Sequence, residues 1–295
     1  MVESAPLWAA LVVPLALALA AWVTATVDAG STGAGREVLR LLVKQPRITR
    51  AADVPLVRLG TTLLPVAAVL AAVVLPFGFR SLSDLPDGIV WFNAMEALAW
   101  AAVWLTGWGP NSTLSLVGGY RFLAQGLAYE LPHMLAITTA ALGAESLRVG
   151  SVVDAQAGLW FAVWMPAAFG IYLLSALAMA FWGPFDQPVG ADAAGGAAAE
   201  LSGVDRLLFL GGRWLLIVVA AAFAVPLFLG GGHGPLLPGW AWTVVKTVAV
   251  LAFLLWVRRR MPTVRMERYV ELAWVVLTPL AVAQALVVAV VVLGR

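Results

Sequence analysis

Cysteine is absent from the 295 residues. Disulfides, Fe–S clusters and thiolate metal sites held by this chain alone are thereby excluded. Histidine is nearly absent too: His133 and His233 stand about a hundred residues apart, and no metal-ligand cluster can be built on them. Charge is scarce. Only 12% of residues are Asp, Glu, Lys or Arg, against about 25% in ordinary globular domains. A water-soluble fold of that balance would leave large apolar surfaces facing solvent. Internal repeats and a separate soluble domain are also missing; no nucleic-acid partner is expected, and the net charge of +2 says little about partners because charge here is distributed by topology.

What the chain has is apolar length. Hydrophobic residues make up 62% of it, and the mean hydropathy is +0.93. A helix needs about 20 apolar residues to cross the hydrocarbon of a bilayer. Eight stretches qualify: roughly 7–27, 55–78, 89–107, 117–142, 158–182, 205–229, 240–258 and 270–293. The expected fold is therefore an all-α polytopic membrane protein, one transmembrane domain over residues 1–295. The first stretch is expected to be a true span rather than a signal peptide, because its leader holds Glu3 and no Lys or Arg and its apolar run is too long.

Basic residues set the expected orientation. Arg36, Arg40, Lys44, Arg47 and Arg50 follow the first stretch, with Arg58 just beyond. Arg258, Arg259, Arg260, Arg265 and Arg268 follow the seventh, and Arg121 and Arg206 follow the third and fifth. The other side has Arg80, Arg148 and Arg295. Loops 31–54, 183–204 and 258–269 are thus expected in the cytoplasm and both termini outside, in a plasma membrane. Within loop 183–204, the Gly/Ala tract 190–199 reads as flexible. Arg36, Arg40 and Lys44 recur every four residues and Pro46 stops the pattern. Segment 35–46 therefore reads as a short amphipathic helix at the cytoplasmic membrane surface. A basic topology anchor explains the same charges.

Polar residues inside apolar spans are costly and point to function. Glu96 falls mid-way along the third span, one turn after Asn93. Glu130 falls in the fourth, with His133 a turn later and Pro132 between them; Arg121 and Gln125 fall on another face of that helix. Arg213 lies early in the sixth span, Lys246 in the seventh and Gln284 in the eighth. Carboxylates, imidazole and amine are the groups that pass protons along side chains and water. The same groups also suit buried ion pairs that only hold helices together. A lone His133 is more often a satisfied structural residue, and Gln284 suits interhelical packing.

Several short motifs occur in order along this framework. GWGPNS (Gly107–Ser112) precedes Arg121, Ala124-Gln125 and Tyr129-Glu130. Pro184-Phe185-Asp186-Gln187-Pro188 opens the loop that Glu200-Leu201-Ser202-Gly203 closes. Leu227–Gly231, Gly234-Pro235, Pro238, Trp242, Lys246, Trp256-Val257-Arg258, Pro262, Arg265 and Trp274 follow, and Lys44-Gln45 fits the first cytoplasmic connection. Together these resemble the family of quinone-site membrane subunits of respiratory complex I, the NADH-quinone oxidoreductase, over most of the chain. The resemblance implies a non-redox subunit that lines a quinone chamber and links it to proton translocation. Quinone is then a substrate at a shared site, and no cofactor is bound covalently. Fe–S clusters and flavin belong to partners, which are hydrophilic Fe–S and quinone-site subunits and antiporter-like membrane subunits. Arg36, Arg40, Phe185 and Asp186 become candidates for the chamber mouth. Glu96, Glu130, His133, Arg213 and Lys246 become candidates for a proton path. No catalytic residue and no metal site is assigned, and the chain alone should have no oxidoreductase activity.

The chain also departs from that pattern. Met179, Ala180, Phe181 and Trp182 stand where the family has E-T-N-R. Val189–Ala193 carries only Asp192 where an acidic run is usual. Arg213-Trp214 replaces a Glu-Tyr pair, and Asp28–Gly35 lacks the family's Q-x-R-x-G-P segment. An Arg cannot give up its proton, so a path through residue 213 is interrupted or rerouted. Pairing of Arg213 with Glu96 or Glu130 is one expectation. Three rival functions remain open on the sequence: a homologous subunit of a membrane-bound hydrogenase or formate-oxidising complex, a stand-alone transporter, and a structural anchor.

Overall fold

A computed structural model of the chain describes residues 3–6, 8–30, 33–190 and 195–294. Twelve α-helices account for most of these. Six helical segments are long and apolar enough to cross a membrane: α1 (Ala9–Ala29), α3 (Val54–Ala71, prolonged by a 3-10 turn to Val74), α4 (Gly88–Trp108), α9 (Gly203–Phe228), α10 (Gly239–Arg260) and the run Met266–Leu293. Each begins and ends within about four residues of an apolar run in the sequence, because the length of that run sets the helix. The side chain of Asp53 accepts from the Leu56 amide, and Pro55 lies in the first turn, so α3 starts where its donors are satisfied.

Two further passages run between the same two ends of the molecule. α5 (Thr113–Ala144) has 32 residues but carries Arg121 and Glu130 and is less apolar. The fifth expected stretch, 158–182, is broken into α7 (Phe161–Trp164) and α8 (Pro166–Met179). Pro166 excludes Met165 from the helical region, so the helix restarts there. Proline also shapes the last run. α11 (Met266–Leu272) continues through a π-helical turn, Ala273–Leu277, into α12 (Thr278–Leu293). Pro279 has no N–H for the preceding turn, and the Thr278 hydroxyl donates to the Ala273 carbonyl instead, 2.8 Å away. Between α1 and α3 lies α2 (Gly33–Val43), a separate short helix beginning two residues earlier than the charge spacing predicts. α6 (Val149–Ala155) caps the opposite end.

α9 is the centre of the bundle, with two thirds of its apolar core buried, while α1 is hardly buried. α3 packs on α4 and α9, α4 on α5, α5 on α8 and α12, and α10 and α1 on α9. Phe92 of α4 stacks on Phe223 of α9 at 3.7 Å.

Contacts between loops sort the two ends. At the first end Thr49 donates to the Pro110 carbonyl, Arg47 Nη2 to Ala199, and Ser112 to Glu200, while Arg258 pairs with Asp28. The connections after α1, α4, α8 and α10 therefore share this end. At the second end β1 (Glu3–Ser4) pairs in parallel with β2 (Arg80–Ser81), and Arg148 pairs with Asp84. The tract 190–199 is only partly described. Residues 191–194, Asp192 included, fall outside the described residues, but Gly196–Ala198 is a buried 3-10 turn packed on α5 and is no flexible linker. Its small side chains let backbone lie directly against Gly118: a Cβ there would stand 2.0 Å from the Ala197 nitrogen.

Candidate functional site

The interior holds a polar column. Gln125, Tyr129 and His133 recur every four residues of α5 and are all buried, so they share one face. The sequence reading divides Gln125 from His133; the fold joins them, because the buried arc of α5 is wide enough to take both. Gln125 Nε2 donates to the Ala178 carbonyl of α8 at 2.6 Å. One turn further, the Tyr129 hydroxyl accepts from Trp100 Nε1 of α4 at 2.7 Å. One turn beyond that, His133 Nε2 lies 3.0 Å from Glu96 Oε2, with the two side chains 0% and 2% exposed. This contact lies off the axis of a good hydrogen bond. Beside it, Asn93 Nδ2 donates to Glu130 Oε1 at 3.1 Å. The imidazole of His133 also faces the Tyr172 ring of α8, 5.3 Å between centroids, and the Tyr172 hydroxyl donates to the Ala220 carbonyl at 2.8 Å.

The fold thus brings Glu96, Glu130 and His133 together, three side chains from two helices. Tyr129, Trp100 and Tyr172 surround them. Tyr129 is readable from its spacing to Gln125 and His133; Trp100 and Tyr172 have no such signal.

Arg213 is elsewhere. It makes no ion pair with Glu96 or Glu130, contrary to the expectation. Its Nη2 donates to the Phe181 carbonyl, and its guanidinium lies over the Trp182 ring at 3.9 Å. Phe181 takes a left-handed backbone conformation (φ 44°), costly for a residue with a side chain, and Arg213 holds that turn. Arg258 lies over the same Trp182 ring at 4.1 Å, and Trp182 Nε1 donates to the Arg213 carbonyl. Stacking on aromatic faces replaces the missing carboxylate as the favourable setting for a buried guanidinium.

Lys246 is at the second end. Its Nζ donates to the carbonyls of Leu229, Gly231 and His233 at 2.6, 2.9 and 2.6 Å. Trp160 offers it a ring face at 4.3 Å. All three ammonium donors are used, and they close the C-terminal end of α9, where a cation is favoured. Gln156, missed in the sequence, secures the same turn: its Nε2 donates to Pro226 and its Oε1 accepts from Gly230. Gln284 falls on α12, in the last helical run.

The mouth candidates lie at the first end. Arg40 donates to Glu37 within α2 (Nε–Oε2 2.7 Å), and this bond holds the Glu37 carboxyl below its usual range. Arg36 lies one turn away on the same helix. Phe185 is buried against Tyr269, 4.3 Å between ring centroids. Asp186 Oδ1 accepts from the Thr263 hydroxyl at 3.0 Å. Asp28, Gly183, Asp186, Arg258, Arg259, Met261 and Thr263 line an open hollow of about 340 Å³. Among the described residues no three His, Cys, Asp or Glu side chains are placed to hold a metal.

A bundle of long apolar helices around a buried acid–imidazole cluster defines an integral membrane protein with an ionisable interior. Residues 11–289 match the NADH dehydrogenase family, and the chain belongs to it. It is 36% identical over 262 residues to the NADH-quinone oxidoreductase H subunit 1 of Geobacter metallireducens, a match covering 85% of this chain and 80% of that one. A similar match, 36% over 262 residues, joins it to the NADH-quinone oxidoreductase H subunit 2 of Cereibacter sphaeroides, over 88% and 82% of the two chains. With the NADH-quinone oxidoreductase H subunit of Geobacillus kaustophilus the identity is 34% over 262 residues, covering 86% and 78%.

Proposed function

We propose that the chain is the membrane subunit of a complex I-type NADH-quinone oxidoreductase that walls the quinone site and links it to proton translocation. The observation that carries this reading is family membership across residues 11–289. Relatives named as subunits of that enzyme also favour it over a hydrogenase-type assembly. With no cysteine in the chain, electrons travel on Fe–S and flavin centres of partner subunits, and this subunit contributes position and protons.

In this reading the chain crosses the plasma membrane eight times, α5 and the broken α7–α8 passage included. The first end, rich in Arg and Lys, lies in the cytoplasm by the positive-inside rule, with α2 at the membrane surface and both termini outside. The hollow at that end suits one wall of a quinone site: it is open, so partner subunits complete it, and Arg258 and Arg259 supply donors for a quinone carbonyl. Asp186 and the turn set by Phe185 shape its rim, and Arg36 and Arg40 flank the approach from the bilayer. Glu130, Glu96 and His133 are the proton-carrying groups. Arg213 and Lys246, held by backbone carbonyls and aromatic rings, support the path from its margins.

The test is mild-detergent purification of the tagged chain from its own membranes, with mass spectrometry and a quinone-reductase assay. Hydrophilic Fe–S subunits, antiporter-like membrane subunits and NADH-dependent quinone reduction are the expected recovery. A nickel-containing partner, or a lone well-folded chain without reductase activity, would overturn it.

A further inference from the structure

Glu96 and His133 are almost fully buried and 3.0 Å apart. They are unlike a finished structural ion pair, whose remaining lone pairs and protons are satisfied. Glu96 Oε1 and His133 Nδ1 have no hydrogen-bond partner, and beside them Glu130 Oε2 and Asn93 Oδ1 have none either. Four neighbouring side chains thus keep free polar atoms in a buried place, where each would otherwise be paired. The surrounding hydroxyls do not supply the deficit. That of Tyr172 is committed to Ala220, and that of Tyr129 accepts the Trp100 N–H and donates to none of these four side chains. Ser175, one turn from Tyr172 on α8, leaves another buried hydroxyl oxygen unpartnered. Such a set is suited to exchange partners rather than to hold one arrangement.

The identity of the cation matters most. Lys or Arg opposite Glu96 would lock the carboxylate charged. An imidazole can hold the proton or yield it. The buried cations Arg213 and Lys246 are committed elsewhere, Arg213 to Phe181 and Trp182, Lys246 to three carbonyls. Glu130 lies one turn from His133 on α5, and the Asn93 side chain that donates to it lies one turn from Glu96 on α4.

We infer that Glu96 and His133 together form a proton-holding pair that loads Glu130. The inference rests on the function proposed above and names residues that carry its proton step. With one proton between them the pair is net neutral. Passing that proton to the Glu130 carboxylate leaves the Glu96 carboxylate beside neutral imidazole, and Glu130 as the acid. A proton arriving along the column from the first end restores the pair. One proton enters, one leaves, and no electron moves.

The experiment uses the whole complex from strains carrying chromosomal variants. Two replacements that cannot titrate are compared: the apolar double variant Glu96→Leu/His133→Leu, and Glu96→Gln/His133→Gln, which keeps size and polarity. Assembly is read on native gels, and proton uptake per quinone reduced is read in sealed inverted vesicles. We expect assembled complexes that still reduce quinone but whose uptake ratio falls to the proton that NADH-dependent quinone reduction itself consumes in both, with partial recovery in Glu96→Asp. An unchanged ratio in either assembled double variant would overturn the role of the pair and leave the proposed function standing. Failure of both double variants to assemble would make the pair structural and overturn it as well. Wild-type vesicles that neither reduce quinone nor take up protons would instead remove the function on which the inference rests.

Discussion

The two buried cations Lys246 and Arg213 keep their charge because neighbouring carbonyls and aromatic rings replace water, and each is held differently. Lys246 has three carbonyls and a tryptophan face. Lys246→Met would leave the end of α9 with unmet acceptors, at about 1–3 kcal/mol for the desolvated groups; thermal unfolding in detergent should show the loss, with proton-coupled function reduced only in proportion to folded protein. Arg213 is held by a carbonyl and a ring stack. Because it does not touch Glu96, the stability effects of Arg213→Leu and Glu96→Gln should add. A double-mutant cycle with coupling well above about 0.5 kcal/mol would contradict that separation.

At the scale of elements, small residues decide how closely helices and loops approach. The Gly196–Ala198 turn rests on Gly118 with no room for a methyl group. Gly118→Ala should lift the turn from α5 and cost about 1–3 kcal/mol, the range for overpacking. Gly211, on α9, faces open space. Gly211→Ala should be neutral or stabilising by up to about 1 kcal/mol, since alanine favours helix. The two variants differ only in their surroundings, and thermal unfolding of both in the same detergent separates packing from propensity. Pro166 and Pro279 act at this scale too: one divides a passage into α7 and α8, the other imposes a π turn on the last.

At the scale of the whole molecule, the chain's lack of cysteine makes its topology directly measurable. Leu236 is fully exposed at the second end, and Met261 is exposed at the first. Leu236→Cys should react with a membrane-impermeant maleimide in intact cells, and Met261→Cys only after permeabilisation and release of the partner subunits that cover the hollow. The reverse pattern would invert the proposed orientation and move the quinone wall to the wrong side for cytoplasmic partners.

The membrane class, the position of the long helices, the segregation of basic residues and the family resemblance are all legible in the chain alone. These follow from composition, apolar run length and short motifs, all local or additive properties of the chain. It also marked Glu96, Glu130, His133, Arg213 and Lys246 as costly where they stand, because the cost of burying charge depends first on residue type and span. Which of them meet was decided by tertiary structure alone. Phe181 and Trp182, two apolar residues just after α8, draw Arg213 away from the carboxylates, and no spacing rule connects position 182 with 213. The packing of α4 on α5 sets Glu96 against His133, two residues that lie on different helices. Lys246 finds its partners in the backbone of a loop, whose carbonyls every sequence has and only a fold can aim.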